Sequence, residues 1–181
     1  MAEAPGTTPH ARLPDEHREK LAKALQDGLA GRKALMRAYE MVSERVSDPA
    51  AKSTLKRFAQ EEKEEYEAGA EITRRYGGDP GGVTNIKNEV VAFLGKGIFM
   101  SGEKPYADAR DFAILCGMES AGHVAANAMK PVAERVGDPA WKTAVEQSIT
   151  RAESHIEYLR NRAIEAGNQA IPGPGPGSYG P

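Results

Sequence analysis

Two glutamates three residues apart, Glu62 and Glu65, interrupt an apolar helical stripe that otherwise reads Leu55, Phe58, Gly69, Ile72, Tyr76. Groups at i and i+3 leave a helix on one face, so these carboxylates can grip a common point. Two more polar groups fall on inward stripes further along. Glu119 follows Leu115 and precedes Gly122 and Ala126, and His155 stands among Ala152, Ile156 and Leu159. Arg32 shares a stripe with Leu25, Gly28, Leu35 and Tyr39. Burying an unpaired carboxylate is costly, so an inward acid is paired, protonated or bound to a cation. The set therefore suits an ion network closed by Arg32, a direct bond between Glu119 and His155, or ligation of a metal ion.

The neighbouring polar residues read more plainly. Glu61 and Glu64 lie off the stripe and are expected on a solvated acidic face. Glu153 sits about 100° round the helix from Ala152 and should miss the centre. His123, four residues after Glu119, can meet it on one face, although its repeat equivalent Lys33 points to a flanking surface position. The methionines, Cys116, Tyr39 and Tyr66 read as packing. No nucleophile–base pair stands out.

An internal duplication must position these groups. Glu44, Arg45, Val46, Asp48, Pro49, Ala50 and Lys52 recur 90 positions later as Glu134, Arg135, Val136, Asp138, Pro139, Ala140 and Lys142. Each copy reads as a helix ending near a Val, then an Asp cap, then Pro in the first turn of the next helix. Glu65 and His155 are equivalent under this offset, as are Glu62 and Ala152, and Arg32 and Gly122. Apolar spacing predicts helices over residues 15–46, 49–76, 105–136 and 139–166, the second stopped by Gly77-Gly78 and the fourth by Gly167. Pro131 is expected to kink the third. Residues 77–104 make a long crossover, and NIKNEVVAFLGKGIF within it predicts a short amphipathic helix. The expected layout is an N-terminal arm over 1–14, a bundle over 15–167 and a Pro/Gly-rich tail over 168–181.

Composition narrows the class. The chain has 181 residues and a net charge of -2, so it carries no basic footprint for nucleic acid. Abundant Glu, Lys, Ala and Arg favour an all-α protein. No long apolar run is present to span a membrane, and the first residues lack the pattern of a signal peptide. The single cysteine rules out an internal disulfide framework and fits a reducing, cytoplasmic setting.

Over roughly residues 16–166 the chain resembles the ferritin-like superfamily, particularly the rubrerythrins and bacterial stress-associated ferritin-like bundles. FAQEEKEEYEAGAEI, GMESAGHVAANAMKPVAERVGDP and the duplication carry the resemblance. It implies an all-α, ferritin-like four-helix bundle of two duplicated hairpins. It also implies a carboxylate and histidine metal site, with a Glu from each of two helices and Glu-x-x-His from the other two. Carried over, the Glu expected seven residues before Tyr39 is Arg32. The second helix offers Glu62 and Glu65, the third Glu119, and the fourth Ala152 and His155. Arg32 would thus replace one metal of a pair, and Glu62, Glu119 and His155 would remain for one Fe or Mn ion.

Two functions follow. One is a metal-binding protein in iron handling or oxidative-stress protection. The other is a metal-free bundle with an Arg–Glu core, acting as a scaffold or binding a protein partner through its terminal tails. A homodimer is the default assembly for either.

Overall fold

The computed structural model describes residues 13–81 and 106–170. These form four α-helices: α1 (Asp15–Arg45), α2 (Pro49–Arg75), α3 (Tyr106–Val136) and α4 (Pro139–Ala170). Among the described residues there are no strands. The expected short crossover helix and both chain ends lie outside the described residues.

Short turns fold α1 against α2 and α3 against α4. The Asp48 carboxylate accepts the Ala50 N–H at 2.8 Å, and Asp138 accepts those of Ala140 and Trp141 at 3.0 and 3.1 Å. Each Asp satisfies donors that the first turn of a helix leaves free, and the following Pro needs no such partner. Gly137 closes α3 at φ 72° and Gly77 follows α2 at φ 82°. Both occupy the left-handed region that a side chain disfavours. The other helix stop differs from expectation. Gly167 does not take a left-handed φ, and α4 runs through it to Ala170. With only a helical φ required there, the glycine is no terminator. Pro131 lies inside α3, which continues to Val136.

Cross-helix partners give the directions. Along α1, Tyr39 meets Glu119 and Arg45 meets Asp111, so α3 descends as α1 ascends. Along α2, Asp48, Phe58 and Tyr76 meet Arg162, His155 and Trp141 in turn, so α4 opposes α2. With α3 and α4 antiparallel as well, α2 and α3 run the same way. The end of α2 and the start of α3 therefore lie at opposite ends of the bundle, separated by about the 40 Å length of the 27-residue α2.

Two apolar layers fill the interior. One holds Leu35, Tyr39, Val42, Leu55, Phe58, Phe112, Leu115 and Leu159. The second holds Ala22, Ile72, Tyr76, Ala133, Trp141 and Val145. One set of polar groups falls between these layers: Arg32 on α1, Glu62 and Glu65 on α2, Glu119 on α3, Ser148 and His155 on α4. The largest cluster of buried charge thus sits in the middle of the bundle, with single buried acids, Asp111 and Asp138, nearer its two ends.

Candidate metal centre

Glu62, Glu119 and His155 converge from three helices. Their exposures are 3, 2 and 1%. One ligand atom from each lies within 4.8 Å of the other two. His155 Nδ1 is 2.5 Å from Glu119 Oε1, and the Tyr39 hydroxyl donates to that same oxygen. The Phe58 ring stacks on the His155 imidazole at 3.7 Å between centroids, and Tyr39 meets both rings edge-on. These contacts hold Glu119 and His155 in place.

Arg32 engages Glu62 from α1. Its Nη1 reaches Glu62 Oε2 at 3.1 Å and also pairs with Glu65, while Nη2 donates to Ser148. The guanidinium thus bridges two carboxylates. Glu65 lies 3.7 Å from Arg151 Nη1 as well. Its buried oxygens meet these cations as ion pairs, outside good hydrogen-bond geometry. Glu65 therefore joins the arginine half of the layer, and it is not part of the converging triad.

Glu61 differs from its expected solvated position. Its Oε2 is 2.7 Å from His155 Nε2, and its Oε1 accepts from Arg57 at 2.7 Å. The 100° step that takes it off the bundle axis turns it toward α4, where the histidine edge waits. Glu64 is exposed and pairs with Arg151 across the surface. His123 does not reach Glu119; it faces Glu153 at 3.5 Å, so both remain peripheral. Ser148, Tyr39 and Glu61 are the members of this layer that inward-charge reasoning passed over. Tyr39 had a usable signal, since a buried phenol hydroxyl needs a partner.

Burial raises the Glu62 carboxyl to about 7, because desolvation and the charges of Glu119 and Glu65 outweigh the pull of Arg32. Burial opposes charge on His155, but the hydrogen bonds and charges of Glu119 and Glu61 win and raise it. Burial and the charge of Glu119 push the Tyr39 phenol far above its usual range.

Two carboxylate oxygens and one imidazole nitrogen form a suitable set for Fe, Mn or Zn. Ligand bonds near 2.1 Å place neighbouring donors about 3 Å apart and opposite ones about 4.2 Å apart. The three donors lie within 4.8 Å of one another, and Glu119 Oε1 and His155 Nδ1 are 2.5 Å apart. No family model, curated protein or solved structure matches the chain.

Proposed function

We propose that the chain is a ferritin-like bundle, built from two duplicated hairpins, that binds a single divalent ion, Fe or Mn, through Glu62, Glu119 and His155. The observation that carries this reading is the convergence of these three buried ligand atoms within 4.8 Å. Iron at this position would supply one-electron redox chemistry suited to iron handling or oxidative-stress protection. The chain's own residues bind and shield the ion: Tyr39 and Phe58 pack round the donors, and the apolar layers exclude water. Arg32 holds the place between Glu62 and Glu65 with a fixed positive charge, which disfavours a paired-metal ferroxidase.

A metal-free scaffold is the second reading. It is favoured by the pairing already present, since Arg32 bridges Glu62 and Glu65 and the ring nitrogens of His155 face Glu119 and Glu61. Equilibrium dialysis against Mn(II), or Fe(II) without oxygen, separates the two. The first reading predicts a single ion per chain, with Glu119→Gln and His155→Ala each weakening binding by more than the roughly 10- to 100-fold that loss of an outer-shell partner costs. Absence of saturable binding leaves the scaffold.

A further inference from the structure

Among the described residues, the large hydrophobic side chains left exposed are Tyr106, Val124, Val132 and Ile164, at 60, 67, 36 and 58%. Three belong to α3 and the fourth lies beside it. Cys116, His123 and Lys130 of α3 meet Ile156, Glu153 and Glu146 of α4, so each step forward on α3 is a step back on α4. That register sets Ile164 beside the first turn of α3, where Tyr106 stands. From there Ala113, Gly117, Ala121, Val124, Ala128 and Val132 recur every three or four residues, all of them exposed. They mark one outward face about 28 Å long, and none of the ionisable side chains between Arg110 and Arg135 falls on it. The other helices turn charge outward, as with Glu40 on α1, Lys63 on α2 and Glu157 on α4. A helix with an apolar outward face as well as an inward one is normally covered on both sides.

We propose that residues 171–181 of the same chain, the Pro/Gly-rich C-terminal tail, dock along this face in extended form, with Tyr179 over Val124. The proposal is independent of metal binding. On the register above, α4 ends with Ala170 at or just beyond the level of Tyr106, and Pro172 disfavours a helical Ile171. The tail therefore leaves at the Tyr106 and Ile164 end of the face. A polyproline chain advances about 3.1 Å per residue, so the nine residues from Ala170 to Tyr179 span about 28 Å. That equals about 19 residues of helix, which carries Tyr179 from the level of Tyr106 to that of Val124, the most exposed of the four. Residues 171–181 contain no charged side chain, so laying them on an uncharged face strips no ion of water. Proline preorganises the tail, and its alternating glycines let the backbone approach the small residues Ala113, Gly117 and Ala121. The chain that follows α2 sets off elsewhere: Gln26 donates to the Asp79 carbonyl at 2.7 Å and Tyr66 to that of Pro80 at 3.5 Å, which directs it over the α1 and α2 side. A second copy would gain too little, because a strip about 28 Å by 10 Å falls well short of the roughly 800 Å² per partner of a stable dimer.

The test places a nitroxide at Ser178→Cys in the full chain labelled with 15N, with Cys116→Ala to leave a single thiol. Amide signals of residues 121–128 should broaden and recover when the nitroxide is reduced, while those of α2, diagonally opposite, should keep their intensity. Adding Val124→Glu, at an exposed helical position, should abolish the broadening. Tyr179→Ser alone, with Cys116 and the rest of the bundle unaltered, should shift the same amides relative to the wild-type chain and needs no label. The proposal is overturned if these amides neither broaden nor shift, or if Val124→Glu leaves the broadening unchanged. It is also overturned if spin-labelled chains broaden the amides of separate 15N-labelled chains to the same degree, since the tail would then lie on a second copy.

Discussion

Glu62 is held by two opposing influences, a dry surrounding that favours its proton and an arginine that favours its charge. Removing the arginine leaves two buried acids without their main cation. Arg32→Ala should destabilise the metal-free chain by about 3 kcal/mol at neutral pH, the low end for breaking a buried pair, since the guanidinium is partly exposed and screened. Urea unfolding measures it, and a loss indistinguishable from zero would show the pairing is idle. The loss should shrink in acid as Glu62 takes up a proton. The sign for the intact metal-free chain is likewise definite. Glu62 is raised from 4.5 to about 7, so its contribution is whole below about pH 4.5 and is lost as pH rises through about 7. His155 is raised too, so its contribution is whole below 6.5 and fades above its folded value. Calorimetry should show the metal-free Tm falling from about pH 5 to about pH 8, and Mn(II) restoring more at the alkaline end. At this scale the sequence exposed Arg32, Glu62, Glu119 and His155, because inward charges are conspicuous on apolar stripes. It hid Glu61, because distance from the bundle axis says nothing about which neighbouring helix a side chain meets.

The helices present these residues only if their hairpins hold register. Gly77 at φ 82° ends the turn after α2, and a Cβ there would be strained even though no atom crowds it. Gly77→Ala should therefore cost about 1–2 kcal/mol, read from thermal unfolding. Gly167→Ala should cost nothing or stabilise slightly, because that glycine is helical and a Cβ meets open space. Equal losses at the two positions would contradict the assigned backbone. Asp-Pro punctuation made both turns legible in the sequence. Gly167 misled because a glycine near a helix end resembles a stop unless its φ is known. Packing also has a close point that periodicity cannot show: a Cβ at Gly69 would come within 2.9 Å of Leu29 Cδ2.

Across the whole molecule, the two hairpins are tied at opposite ends as well as through the ionic middle. Asp48 in one turn pairs with Arg162 at 2.6 Å, and Asp138 in the other pairs with Arg75 at 3.2 Å. Each turn Asp thus caps its own helix and holds the second helix of the other hairpin. The Tyr76 hydroxyl also donates to Asp138 at 3.2 Å, and burial with that charge pushes its phenol above the usual range. Tyr39 behaves alike in the middle layer. Both stabilise the fold fully below about pH 10, and that contribution is lost as pH rises toward their folded values. Alkaline titration at 295 nm should show two of the six tyrosines ionising only with unfolding. Free titration of all six would contradict the packing. Four helices and their order were legible from periodicity and caps. The pairing of α1 with α3 and α2 with α4 was not, since no local pattern records which hairpin faces meet. Among the described residues, no helix is long and apolar enough to cross a membrane.

Anomalous diffraction from crystals grown with Mn(II) tests the central claim most directly. The account predicts one strong peak per chain, about 2.1 Å from an oxygen of Glu62, an oxygen of Glu119 and a ring nitrogen of His155. An empty triad, with Arg32 still bridging Glu62 and Glu65 and manganese only on surface carboxylates, would contradict it.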